Sequence, residues 1–392
     1  MRTVVILGAG ASAGSKWGNP PVVKNFLRKA SDLGYFSKIE FEPLWPYFKK
    51  ELAFSKDRLL AMEEHGHLNI EKLYSHVAEL EESTVGMLLE KLIHDVLSAC
   101  TAEHREKACP YHTGLIKHLQ PEAILSFNYD LICDRALASF WPEWETNSEL
   151  PFDFRYDGTK FVETKNRWSH PWEHHDRENY ETNEGLKRMI DSLLLNKAIT
   201  APEITEKKGY PLYLKLHGSL NWYYDITYFE RTRSVQRWKE VLSLYIVPLN
   251  FAFSTERIRQ QRGARDYAPS TYYRMKSGTQ LYHGTADLKL AIVPPVYQKE
   301  FPVFIERKWK KAEKALTEAE RIVIVGYSLP EIDLRAERLF RKSYMAQHDR
   351  SRLLIDVVDP RSEVVEKFKS LYHESTVRAG GKLAEFVTTI GS

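Results

Sequence analysis

The strongest constraint on the fold is a set of six short apolar runs, each ending in a small or polar residue. They are TVVILGAG from Thr3, AILSFNYD from Ala123, YLKLHGS from Tyr213, LAIVPP from Leu290, RIVIVGYS from Arg321 and LLIDVVDP from Leu353. Runs of this kind suit strands buried on both faces of a parallel sheet, where no polar side needs to face water. The Lys-, Glu-, Ala- and Trp-rich stretch 301–320 leads straight into the run at Ile322, the spacing of a helix–strand unit. The expected fold class is α/β, a Rossmann-like parallel sheet with helices on both faces.

Three long stretches interrupt the alternation. Within residues 37–118, NIEKLYSHVAELEES and VGMLLEKLIHDVLSAC read as helices, and Leu88, Leu92, Val96 and Cys100 recur at helical spacing. We expect a helical lobe inserted at 37–118, with irregular insertions at 140–208 and 224–285. The core then comprises 1–36, 119–139, 209–223 and 286–392, all within one domain spanning 1–392.

Composition excludes several classes. The 56 Lys+Arg nearly balance 53 Asp+Glu, so no global field favours nucleic acid. The cationic stretch Arg257 to Arg265 is expected to be a solvated or partner-facing surface. Cys100, Cys109 and Cys133 stand too far apart for a Cys-x-x-Cys pair, which points to a reducing cytoplasm and no thiolate zinc site. The N-terminus reads as a core strand and not a leader, and no window approaches the ~18 apolar residues of a membrane span. His170, His174 and His175, and the pair His65 and His67, lack any metal-specifying spacing and are expected as solvated loop histidines. Nor is there a G-x-S-x-G elbow around Ser12, or a G-x-x-x-x-G-K-[ST] loop in the chain.

Ligands of doubly wound folds bind beyond the C-terminal strand ends, so the residues there matter most. Gly8-Ala9-Gly10-Ala11-Ser12-Ala13 matches G-x-G-x-x-A after a strand, the pattern of a turn that approaches a pyrophosphate. A redox dinucleotide domain also wants an acid ending its second strand about 20 residues on. The nearest, Asp32, falls in the helical pattern VVKNFLRKASDLGYF, against a hydride carrier. Asn128 and Asp130 follow another strand. The amide suits a ribose hydroxyl or an attacking water; the carboxylate suits a hydroxyl or a brace for its loop, and a plain turn with a helix cap is the competing reading. His217, before Gly218, is placed to act as a base or to serve structurally. Gly326 and Ser328 offer an amide and a hydroxyl, or a loop closed by Pro330.

In their order along the chain these motifs resemble the sirtuin superfamily, specifically the SIR2-like domains of bacterial anti-phage defence. Sirtuins carry Gly-Ala-Gly-x-Ser followed by Gly-Ile-Pro-Asp; here Gly8 to Ser12 is followed by Gly18-Asn19-Pro20-Pro21. Their Gln-Asn-x-Asp is echoed by Phe127-Asn128-Tyr129-Asp130, their His-Gly by His217-Gly218, and their Gly-x-Ser by Gly326-Tyr327-Ser328. The resemblance covers about half the chain. It departs in two places: no Cys follows Cys133, where deacylases carry four zinc-binding cysteines, and Val22-Val23 replaces Phe-Arg.

The resemblance implies an NAD+ glycohydrolase that releases nicotinamide and ADP-ribose. Asn128 and His217 would be catalytic. Gly8, Ala9, Gly10, Ser12, Asn19, Pro20, Asp130, Gly326, Ser328 and Asp359 would hold NAD+, without a metal. It also implies a homo-oligomer, or a separately encoded activator such as a HerA-type ATPase or short Argonaute, with no membrane and no sequence-specific nucleic acid. The alternatives are an NAD-dependent protein deacylase and a non-catalytic NAD or ADP-ribose module.

Overall fold

The computed structural model describes residues 1–15, 19–51, 55–79, 83–101, 107–140, 211–225, 245–246, 273–276, 280–283, 286–293 and 303–392. Gly18, His170, His174, His175 and the Arg257 to Arg265 stretch lie outside these.

Five of the six apolar runs build one parallel sheet. Its strands are β1 (Thr3–Leu7), β2 (Ala123–Ser126), β3 (Leu212–Lys215), β9 (Arg321–Val325), β10 (Leu354–Val358) and β11 (Thr376–Ala379). The order across the sheet is β11-β10-β9-β1-β2-β3, and each pairing is parallel. All five residues of β1 are buried, as a central strand covered on both faces requires. From β1 the chain steps outward through β2 and β3, then returns to the other side of β1 at β9. The topological switch, where open α/β sheets bind their ligands, therefore lies between β1 and β9.

Helices cover the sheet in two groups. One joins α7 (Pro110–Leu119), α8 (Ile132–Phe140) and α12 (Leu383–Gly391); the other joins α9 (Val303–Thr317) and α10 (Leu334–Met345). Helix α11 (Ser362–Leu371) packs beside β10 and β11. The sheet and these helices share one apolar core.

A second core belongs to the helical lobe. Helices α3 (Leu44–Glu51), α4 (Lys56–Glu64), α5 (Ile70–Glu79) and α6 (Ser83–Thr101) supply it. Leu88, Leu92, Val96 and Cys100, spaced along one face of α6, are all buried there. Helix α2 (Phe26–Asp32) joins this cluster through Phe26, Leu27 and Ala30, whereas Leu115 and Ile116 of α7 join the sheet's core. By packing, the helical lobe thus begins before residue 37 and releases the chain before 110, because each helix follows its own apolar face.

The run at Leu290 departs from the sequence expectation. It belongs to β8 (Ala286–Ile292), in an antiparallel sheet ordered β5-β4-β8-β7-β6. The other members are β4 (Gly218–Asp225), β5 (Tyr245–Ile246), β6 (Tyr273–Lys276) and β7 (Gln280–His283). Upstream of Leu290, Asp287-Leu288-Lys289 already alternates polar and apolar, the pattern of an antiparallel strand. Three of these strands lie in 224–285, where the sequence reading expects irregular chain; Tyr-Arg-Met-Lys and Gln-Leu-Tyr-His flank a Ser-Gly-Thr turn sequence in the manner of a hairpin. Strand β11 escapes notice for the opposite reason, being a mostly exposed edge strand without an apolar run.

Candidate active site

Two glycine turns interlock at the switch point. Gly8 N–H donates to Val325 O at 3.0 Å, and Gly10 N–H donates to Gly326 O at 2.9 Å. A Cβ on Gly8 would stand 2.5 Å from Tyr327 Cα, and one on Gly10 2.8 Å from Gly326 Cα. Gly326 itself has φ +59, where a side chain is strained, and its Cβ would meet Ala11 N at 2.1 Å. The glycines are therefore needed first for one strand-end turn to lie against the other. The helix after the first turn, α1 (Ala9–Gly14), has only six residues.

Residues beyond β2 tie into the first turn. Asn128 Nδ2 donates to Gly8 O at 2.9 Å and to Ser12 Oγ at 3.2 Å. Ser12 Oγ donates in turn to Asp130 Oδ2 at 2.8 Å. Asp130 Oδ1 accepts from Ile132 N–H at 3.0 Å at the start of α8, so both its oxygens brace the chain. The buried Asn128 Oδ1, by contrast, has no hydrogen-bond partner. A buried acceptor left open at a strand end fits a donor supplied by a ligand.

Lys215, fully buried on β3, holds the same loop from below. Its Nζ donates to Asp130 O at 2.6 Å, Tyr129 O at 3.3 Å and Asp134 Oδ2 at 3.1 Å. Asp134 Oδ2 also accepts from Tyr213 OH at 2.9 Å.

His217 lies two residues past Lys215, as Asn128 lies two past its register partner Ser126, so both leave the sheet side by side. Here the chain turns from the parallel into the antiparallel sheet: Gly218 has φ +81 and Val293 N–H donates to His217 O at 2.8 Å. His217 is 5% exposed. Phe127 meets it edge-on at 5.2 Å between ring centroids, and Trp309, which donates to Leu216 O, lies at 6.0 Å. Phe127 also stacks on Tyr327 at 4.1 Å. This aromatic wall limits water around the ring.

A residue that sequence reasoning missed faces this histidine. Asp333 Oδ2 lies 3.4 Å from His217 Nε2 and accepts from Tyr327 OH at 2.7 Å, while Oδ1 caps α10 through Ala336 N–H at 3.3 Å. Burial pushes the Asp333 carboxyl up, but the facing imidazole, the Tyr327 hydroxyl and the helix amide together hold it below its ordinary value. The phenol of Tyr327 is pushed well up by burial and by this carboxylate. The only sequence signal was the position of Asp333 at the end of GYSLPEID, five residues beyond Ser328.

The remaining nominated residues divide. Ala9 and Ser328 are half-buried beside the interlocked turns. Asp359 ends β10 next to them, but Arg361 occupies both its oxygens, Nε and Nη2 each at 2.8 Å. Asn19 is exposed at φ +50 and Pro20 is buried; neither joins the described hydrogen bonds of the cluster. Asp32 ends α2 in an exposed position, as the helical pattern implied. His65 and His67 are exposed, and no group of metal-binding side chains occurs among the described residues. Among those residues no helix is long and apolar enough to cross a membrane.

No protein-family model matches this chain, and no curated protein matches it in sequence. Among solved structures it is similar to one described as "The Structural basis for Sirtuin Substrate affinity", at 12% identity and a TM-score of 0.39, over 99% of this chain and 91% of that one. It is also similar to a "crystal structure of a SIR2 homolog-NAD complex", at 11% identity and a TM-score of 0.41, over 99% of this chain and 87% of that one.

Proposed function

We propose that the chain is a SIR2-like enzyme that hydrolyses NAD+ at its nicotinamide N-glycosidic bond. One observation carries the reading: Asn128, with a buried and unpartnered Oδ1, leaves the sheet beside the buried His217 at the topological switch. The carboxamide is held by Gly8 O and Ser12 Oγ, so its open oxygen has one orientation for a ribose hydroxyl or a water.

The chemistry asks little beyond this. The C1′–N bond breaks with its electron pair going to the pyridinium nitrogen, so nicotinamide leaves neutral. Water adds to the ribose C1′, and His217 takes the water's proton as general base. Asn128 orients the nucleophile or the ribose, and the interlocked turns present Ala9 and Ser328 to the dinucleotide. Gly10 N–H and the Asp130 oxygens serve the scaffold instead, because their partners lie within the chain. The ordered sirtuin motifs support NAD+ as the substrate. The anti-phage relatives they resemble support a cytoplasmic role in depleting NAD+, gated by self-assembly or by a HerA-type ATPase or short Argonaute.

The test is to incubate the purified chain with NAD+, with and without an acyl-lysine peptide, and to quantify nicotinamide, ADP-ribose and O-acyl-ADP-ribose. Peptide-independent ADP-ribose, lost in His217→Ala and Asn128→Ala, is expected. Product formed only with peptide would establish a deacylase instead. Binding of NAD+ without turnover, unaffected by His217→Ala, would mark a non-catalytic module.

A further inference from the structure

The geometry points to Asp333 as the positioning residue of His217: it holds the ring with the proton on Nε2, which makes Nδ1 the nitrogen that accepts the proton from water. The assignment of Nδ1 as base rests on the glycohydrolase reading; the pairing itself does not.

The pairing is built into the fold. Asp333 is 4% exposed and is fixed twice, by Tyr327 OH at 2.7 Å and by the N-terminal amide of α10 at 3.3 Å. Its Oδ2 faces only one ring nitrogen of His217, Nε2 at 3.4 Å. A neutral imidazole carries one N–H, and a carboxylate can only accept, so the proton belongs on the nitrogen facing it. The contact is long for a hydrogen bond and lies within ion-pair reach. Such contacts tighten when a substrate closes the site.

Among the described residues, charged and titratable groups near the ring come from several elements. Asp333 and Tyr327 come from the β9–α10 loop, and Tyr129 from the loop after β2, its ring 6.3 Å from His217. Arg335 of α10 lies over the Trp309 ring at 4.6 Å, and Glu71 of α5 acts on both tyrosines. Of these, Asp333 makes the ion-pair contact with the imidazole. When the ring takes up a proton at Nδ1, the N–H at Nε2 stays directed at that anion 3.4 Å away.

The test uses the full chain labelled with 15N-histidine, the His217 signals being assigned by their loss in His217→Gln. We expect the Nε2–H tautomer in the wild type. In Asp333→Asn the carboxamide can either accept from or donate to Nε2, so the preference for the Nε2–H tautomer should be lost. In the NAD+ assay the same variant should lose about 10²-fold in kcat with little change in KM. A merely structural aspartate would lower kcat without changing the tautomer. An Nδ1–H tautomer in the wild type would overturn the proposal, and this measurement decides even if Asp333→Asn fails to fold. An unchanged Nε2–H tautomer in a folded Asp333→Asn would overturn it as well. If the Nε2–H tautomer and its loss in Asp333→Asn are found but NAD+ is not cleaved, the glycohydrolase reading fails and the pairing stands.

Discussion

At the scale of single residues, the site is organised by who already has a partner. Asn128, Ser12 and Asp130 form one chain of hydrogen bonds, and only the Asn128 oxygen is left open. The loop that carries Asn128 and Asp130 is held from beneath by Lys215, a lysine with no exposed surface. Its charge is tolerated because two carbonyls and the Asp134 carboxylate surround it. Replacing Lys215 with Met should therefore cost about 3–5 kcal/mol, since the Asp134 charge is left buried without its cation. Adding Asp134→Leu should recover part of that loss. Urea unfolding of the two variants measures both steps.

At the scale of elements, the decisive contact is turn on turn. β1 and β9 lie side by side, and the loops at their ends touch backbone to backbone through Gly8, Gly10 and Gly326. Gly326→Ala should destabilise the protein by more than about 2 kcal/mol, from the left-handed backbone and the lack of space together. On the proposed glycohydrolase reading the same variant should weaken NAD+ turnover, because Tyr327 follows directly and its hydroxyl holds Asp333. Denaturant midpoint and nicotinamide release report the two effects. The sequence pattern G-x-G-x-x-A was legible as a strand-end turn. That its glycines serve an approach by a second strand-end turn was not, because the two lie more than 300 residues apart in the chain.

At the scale of the whole molecule, a sheet core and a helical core meet around the histidine. The antiparallel sheet joins them, Trp222 and Val293 packing into the first and Leu220, Leu290 and Ile292 into the second. One buried group makes the assembly sensitive to acid. His112 on α7 has Nε2 buried without a partner and Nδ1 at 3.2 Å from the Cys109 sulfur, and burial lowers its pKa to about 4. The unfolded chain takes up that proton near pH 6.5 and the folded chain only near 4, so stability is full above 6.5 and is lost as pH falls between the two. The loss amounts to about 3 kcal/mol across that window. In His112→Phe this part of the acid dependence should vanish, which thermal unfolding at pH 7 and pH 4.5 would show.

The sequence by itself determined the parallel sheet, the helical lobe and the identity of the strand-end residues. Each of these is a local signal: an apolar run buried on both faces, a helical period, or a polar residue that ends a strand. Asn128 and His217 were legible because they follow such runs directly. What only the tertiary structure decided is which polar groups meet. Asp130 proved to be a brace, Asp359 is satisfied by Arg361, and Asp333 faces His217 across a span of more than 100 residues. Runs such as ADLKLAI show the same limit, since a strand's pattern records its burial but not its neighbour. Hydrogen bonds and ion pairs are made at about 3 Å between groups whose separation in the chain carries no information about their meeting. Packing of the two cores sets that meeting.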